Sequence, residues 1–457
     1  MTLRSALGAA RWPRRVRRES LRPRLAFHFP VVSCPSSIRA VADDFKDVLG
    51  SHYPAFTAVL CAAIFGVSGL SAVARFFGFS PSVSTLGRLF DDEAIYPKLN
   101  RRHRRRLLRI LEKLSVDPTR YMWAVDDTII PHWGKKIWGT HAWHDHSTGG
   151  TVFGHKLLVL GLVDRKRKLL IPVFWEVLHR EIEGHESEHE KGWKVATRLL
   201  REAVDFGFPK LVVSADSWFA GEEFFDELRK AELPFVVEIK SNRKVMGEGR
   251  KDSKDIRVDE HFLERKRHSI RYRGKKKWTV EENLYFKGSD KKLKVAAVAN
   301  DKDLDQECFA FYVSNKLTWN ASQLWAVARD RWAIEVQFRD LKQIFTLGGA
   351  AVRSKKAVET SISVSVIALT VIRLEQIAQA DRNKDQHVRP IPAGNIVREY
   401  QLQSLVASVS KLASSSSTPA IETIKRRLTP ANLQQKPTEV RRSPKTSDSW
   451  AQTRKSA

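Results

Sequence analysis

The stretch WAVARDRWAIEVQFRDLK, residues 325–342, organises the reading of this chain. Trp325, Trp332, Ile334, Phe338 and Leu341 recur at helical spacing with no Gly or Pro between them, so the spacing predicts a helix, extending over 322–345. Arg331, Glu335, Arg339 and Lys342 follow at three- or four-residue steps, which puts them on one charged helical face. Alone, such a face is ordinarily a solvated ladder of ion pairs. Its company points elsewhere. Two apolar runs upstream end in Asp, MWAVDDT at 122–128 and LVVSADSWF at 211–219. Two carboxylates at strand ends plus one helical Glu can hold a pair of divalent metal ions.

Outward from these blocks, residues 121–240 have the rhythm of a sheet with helices. Apolar runs at 121–130, 153–163 and 169–178 predict three consecutive strands, then helix 191–206, strand 211–217, helix 221–231 and strand 235–240. A meander followed by strands alternating with helices implies a mixed α/β sheet covered on both faces. With the helix at 322–345 closing it, this is the order of a ribonuclease H-like core. Between them, strand candidates at 270–272, 278–286, 293–299 and 308–313 predict a small inserted antiparallel β subdomain. Its basic residues, among them Arg265, Lys266, Arg267, Arg271, Arg273 and Lys275 to Lys277, suit a DNA path.

The chain thus divides into a basic, disordered arm (1–37), a helical N-terminal region (38–118), the first part of the core (119–240), the β-rich insertion (241–320), closing helices (321–405) and a disordered basic tail (406–457). In the helical region, LSAVARFF at 70–77, a break at 78–80 and a second helix opened by Pro81 with Ser80 as N-cap outline a helix-turn-helix. In that reading Ser82, Ser84, Thr85 and Arg88 face the groove; a plain helical hairpin fits the same spacing. NRRHRRR at 100–106 places Arg101, Arg102, Arg104 and Arg105 at the head of a helix that cannot lie in apolar surroundings, as a phosphate-facing surface or a solvated one.

Composition agrees with a nucleic-acid partner. With 79 basic against 52 acidic side chains the formal charge is +27, a self-repulsion that a polyanion relieves. Cys34, Cys61 and Cys308 form no CxxC pair, which excludes a disulfide framework or a cysteine-zinc site and fits a reducing compartment, the cytoplasm. Residues 56–74 approach membrane-spanning length but contain Gly66, Ser68, Gly69 and Ser71, so they read as two core helices meeting at a turn, with no membrane partner. Eight arginines and one acid in residues 1–24 suit an arm on phosphates, a transit peptide or an early start.

The carboxylates carry the chemistry. Asp127 lies near the end of the first strand and Asp216 near the end of the fourth, neighbours in a mixed sheet, and Glu335 packs across them. Successive residues of a strand face opposite ways, so only one of Asp126 and Asp127 points into the site, and Asp127 is the choice. Hard oxygen ligands without Cys favour two ions of Mg²⁺ or Mn²⁺. Trp218, just after Asp216, is a base-stacking candidate or a core residue. His185, Glu186 and His189 form a literal HExxH match, the signature of a zinc hydrolase, but its flanks are polar.

These blocks resemble the bacterial insertion-sequence DDE transposases. Arg331, Glu335 and Lys342, with three and six residues between them, are similar to the arginine, glutamate and lysine of that group's YREK signature; DDT at 126–128 and ADSWF at 215–219 are similar to its first two catalytic blocks. The tyrosine position is Ala328. The resemblance spans about residues 50–375 and implies Mg²⁺-dependent cleavage at transposon terminal inverted repeats and strand transfer into target DNA by a homodimer associated with the nucleoid. It implies catalytic Asp127, Asp216 and Glu335 as metal ligands, with Arg331, Lys342 and Arg339 on DNA. A transposase-derived DNA-binding protein without catalysis is the alternative.

Overall fold

The computed structural model describes residues 34–414 except 79, 114–118, 133, 135, 146–148, 181–189, 247–254, 264, 273–274, 288, 300–308 and 383–389. The expected arm before residue 34, the HExxH run, Arg273, Cys308 and the tail beyond 414 lie outside the described residues.

Helices come first: α1 (Ser36–Asp43), α2 (Lys46–Leu49), α3 (Tyr53–Ile64), α4 (Leu70–Phe76), α5 (Val83–Asp91) and α6 (Ile95–Lys113). The run at 56–74 is indeed two helices, α3 and α4, separated by Gly66 and Gly69, both with positive φ. Helix α5 starts later than expected. Its N-cap is Ser82, whose hydroxyl accepts the Thr85 N–H, so Ser80 and Pro81 precede the helix instead of opening it.

The sheet follows with β1 (Tyr121–Pro131), β2 (His141–Asp145), β3 (Gly150–Asp164) and β4 (Leu169–Leu178). After α7 (Gly192–Asp205) come β5 (Val213–Ala215), α8 (Glu222–Lys230), β6 (Phe235–Ile239), β7 (Lys244–Met246), β8 (Ile256–Arg257) and α9 (Val258–Leu263). The insertion strands are β9 (His268–Tyr272), β10 (Lys275–Phe286), β11 (Lys292–Ala299) and β12 (Phe309–Ser314). The chain closes with α10 (Ala321–Asp330), α11 (Ala333–Gln343), α12 (Lys355–Arg382) and α13 (Ala393–Ser414).

The mixed α/β class is borne out: β4, β3 and β1 are antiparallel neighbours, and β1, β5 and β6 run parallel in that order. The insertion is antiparallel, but it is no detached subdomain. β12 pairs with β6, so β12, β11, β10, β7 and β8 continue the same sheet. A strand that needs a hydrogen-bonding edge found one on β6, a pairing across the whole insertion that local alternation does not encode.

Two cores lie on the two sheet faces. One takes α1, α3, α5, α11, α12 and α13 with Ala124, Leu157 and Val236; the other takes α7 and α8 with Val125, Leu158, Ala215 and Val237. Adjacent strand residues thus enter opposite cores, as the pleat requires. Helix α12 is apolar and long enough to cross a membrane, yet 83% of its apolar window is buried inside the protein. Helix α13 extends to Ser414, nine residues into the stretch expected to be tail.

Helix α6 corrects a second expectation. The basic run lies in the middle of the helix, which begins at Ile95, and against apolar protein: His103 is buried with Nε2 3.0 Å from the Pro172 carbonyl and its ring against Trp175, and the Arg104 guanidinium lies 3.8 Å from the centre of the Phe174 ring. A guanidinium is planar and weakly hydrated, so it stacks where an ammonium would not.

Candidate active site

The helix expected over 322–345 is broken at Arg331. From Trp332 to Ile334 the amides bond three residues back, Trp332 to Arg329 and Ile334 to Arg331, so α10 ends and α11 begins as a separate helix. Asp330, held by Arg165 at 3.0 Å and Lys168 at 2.5 Å, fixes the end of α10. Arg331 is therefore not on a solvated face with Arg339. It sits in the break, with 11% of its side chain exposed, between α10 over β6 and α11 over β1.

Strand register decides what lies beneath it. Val125 pairs with Ala215 and Ala215 with Val237, all three in the core under α7 and α8. The next residue of each segment, Asp126, Asp216 and Glu238, therefore falls on the face under α11. Asp126 Oδ2 lies 2.6 Å from Arg331 Nη1, and Glu335 Oε1 lies 3.8 Å from the same nitrogen. Asp216 caps the 3-10 turn Ser217–Phe219, accepting the Trp218 N–H at 3.0 Å.

This corrects the choice of Asp127. It points into the opposite side, where its carboxylate is 3.1 Å from Lys156, whose Nζ lies 4.2 Å from the centre of the Trp218 ring. Asp216 and Glu335 are brought together; Asp127 is replaced by its neighbour Asp126. The alternation was sound, but the parity depended on which face α11 covers, and the stretch 325–342 does not state that.

The electrostatics are those of acid in excess. Burial pushes the Asp126 carboxyl well above the usual range; Arg331 pulls it down, while Asp216, Glu335 and Asp127 push it further up. Glu238 is also raised, by burial first and by Asp216, against the pull of Arg331. Burial disfavours the Arg331 charge, yet Asp126, Asp216, Glu238 and Glu335 outweigh it and raise its pKa. Glu238 was missed in sequence. Its signal is an acid inside the otherwise apolar strand FVVEI, one place beyond the residue paired with Ala215.

The other candidates sort by exposure. Arg339 is exposed on α11, and Lys342 follows in its last turn, its ammonium lowered by burial against the attraction of Asp145 and Glu335. Trp332, read in the sequence as part of the apolar stripe, is instead 65% exposed beside Arg331, and Trp218 is 49% exposed, not core. Ser82, Ser84 and Arg88 are exposed on α5, with Arg88 bonded to the half-buried Thr85. On α6, Arg101 and Arg105 face solvent, Arg102 pairs with Asp47 at 3.0 Å, and Arg104 stacks inward.

Comparison with known proteins gives one family. The family model described as DDE superfamily endonuclease matches residues 67–283, slightly under half of the chain. The matched span holds Asp126, Asp216 and Glu238 and ends before Arg331 and Glu335. Among curated proteins nothing matches. Among solved structures, a cryo-EM structure of the piggyBac transposase synaptic complex with hairpin DNA is similar with a TM-score of 0.44 at 10% identity, over 87% of this chain and 83% of that one.

Proposed function

We propose that this protein is a DDE-type transposase that cuts DNA at the ends of its element and joins the freed 3′ hydroxyl to target DNA, with Asp126, Asp216 and Glu335 as its catalytic carboxylates. The observation that carries the reading is the meeting of acids from β1, the end of β5 and α11 around one guanidinium. The similarity to DDE superfamily endonucleases supports it for the first two. The order β4, β3, β1, β5, β6, antiparallel and then parallel, supports a ribonuclease H-like core.

The donor set suits two ions of Mg²⁺ or Mn²⁺. All donors are hard oxygens, and four acids share one basic side chain, so the cluster is short of positive charge. As the side chains stand, no three His, Cys, Asp or Glu groups among the described residues are arranged to hold an ion. Arg331 lies where the charge is wanted, so the fit requires it to leave Asp126. Bound ions supply activation of the attacking oxygen and stabilisation of the leaving one in an in-line displacement.

The chain's own residues do the rest. The Trp218 N–H orients Asp216. Glu335, 41% exposed, is the acid most open to an arriving strand. Arg339 and Lys342 lie on the same helix for phosphate contacts, and Trp218 and Trp332 offer open rings to unpaired bases. A charge of +27 favours double-stranded DNA, element ends and target alike, held by a homodimer.

The test is incubation with Mg²⁺ and DNA carrying the element's ends. Nicks at the 3′ ends and joined product are expected from wild type and absent from Glu335→Gln. A second reading, DNA binding without catalysis, is favoured by the contact already neutralising Asp126 at 2.6 Å. It predicts that wild type and Glu335→Gln bind alike and neither cuts.

A further inference from the structure

We infer that Glu238 is a positioning residue that takes over the Arg331 guanidinium when divalent cations claim Asp126, and so keeps Arg331 aimed at the DNA phosphate during the reaction. The inference rests on the transposase reading above.

Register puts Asp126, Asp216 and Glu238 side by side on one face, in the order β1, β5, β6. Arg331 stands over this row, where α10 packs against β6 and α11 against β1. It is bound now to the β1 end, at Asp126. Glu238 at the other end has no hydrogen bond or ion pair among the described residues, although it is half-buried and within the electrostatic reach of Arg331 and Asp216. Beside it on β12, Tyr312 is registered opposite Glu238 and buried.

A carboxylate in that position, without a partner, is costly unless something uses it. A cation set between Asp126, Asp216 and Glu335 would repel Arg331 from Asp126. A buried guanidinium freed in this way needs another acid on the same face, and Glu238, already within its electrostatic reach, is the uncommitted one. Asp126, at the β1 end of the row, would then be left to the cations, and Arg331 would take its counter-charge from Glu238 at the β6 end.

The test uses the full chain with Mn²⁺ and a pre-nicked DNA end. Electron paramagnetic resonance counts bound Mn²⁺, and DNA affinity is measured with Mn²⁺ and in EDTA. For Glu238→Gln the Mn²⁺ count is expected to equal wild type, DNA binding to weaken about 10-fold with Mn²⁺ and to stay unchanged in EDTA, where Asp126 still holds Arg331. In an Arg331→Ala background the Glu238→Gln loss is expected to vanish, and Glu238→Asp is expected to restore most of it. Binding equal to wild type, a lower Mn²⁺ count, or a loss undiminished in Arg331→Ala each overturns the inference. If wild type itself neither binds Mn²⁺ nor nicks DNA, the functional reading falls and this inference with it. If wild type does both, a failed Glu238 result falls on this inference alone.

Discussion

Asp330 and Arg331 are adjacent in sequence and belong to opposite kinds of charge network. Asp330 and Asp164 are two buried acids met by five basic side chains, Arg165, Lys168 and Arg329 on the first and Arg120 and Arg167 on the second. One residue later the balance inverts, with Asp126, Asp216, Glu238 and Glu335 around Arg331, and with Lys342 drawn to Glu335 among them. A network whose acids are over-matched ties the turn after β3 to the end of α10. A network whose acids are under-matched stores repulsion, which an external cation relieves. The two share a helix end, so the over-matched one holds the under-matched one in place.

The sharpest way to break this contrast is to remove one acid from each. Asp126→Asn, Asp216→Asn or Glu335→Gln is expected to lower nicking by roughly 10³-fold, since a metal ligand controls several kcal/mol of transition-state charge, and to leave the fold intact. Asp127→Asn, on the other face, is expected to stay within about 10-fold of wild type, the scale of an indirect effect. Asp330→Asn is expected instead to lower unfolding free energy by about 2–3 kcal/mol, discounted because Lys168 and Arg165 are partly exposed. A nicking assay beside urea denaturation reads both. Equal loss of stability in Asp126→Asn and Asp330→Asn would end the distinction.

Elsewhere in the molecule are groups that resist protonation. Burial lowers His103 to about 4, and the backbone contact to Pro172 only partly offsets it. The unfolded imidazole titrates near 6.5, so between pH 6.5 and 4 the unfolded chain binds the extra proton. Stability present above pH 6.5 is expected to fall by about 3 kcal/mol as pH drops through that window. His155, lowered by burial to about 4, acts in the same direction. Urea midpoints at stepped pH check this, and His103→Gln should flatten part of the slope.

The under-matched side should respond to metal instead. At about 100 times the dissociation constant, Mn²⁺ or Mg²⁺ is expected to stabilise the wild type by about 2.7 kcal/mol, a rise in melting temperature absent from Asp216→Asn. A melting curve unmoved by metal in wild type would mean that the excess of acid is not a cation site.

These networks were unequally legible in sequence. ADSWF marked the end of β5 because an acid closing an apolar run is visible locally, whereas MWAVDDT lies inside β1, which runs on to Pro131; the meander order followed from alternation. The choice between Asp126 and Asp127 was not legible, because parity is set by the helix above the sheet, α11, more than 200 residues away. Glu238 was hidden for the same reason: only the register of β5 on β6 gives it neighbours. The basic run on α6 misled because charge density was read without its period. His103, Leu107 and Leu111 form a buried stripe at four-residue steps, and Arg104 joins it by stacking.

That stripe yields the smallest and most discriminating expectation. Arg101 and Arg105 lie four residues apart on the exposed side of α6, whereas Arg102 bonds the Asp44 carbonyl and Asp47, and Arg104 covers Phe174. If α6 touches DNA phosphates, Arg101→Ala and Arg105→Ala should each weaken binding by a similar factor on any sequence. Each should also reduce the slope of log affinity against log salt by about 1. Arg104→Ala should leave that slope alone and lower stability through lost packing on the ring. Titrations of a short duplex at several salt concentrations separate the cases. A slope unchanged in the Arg101 and Arg105 variants would confine the phosphate surface to other parts of the chain and leave α6 as a helix whose charge serves only its own solvation.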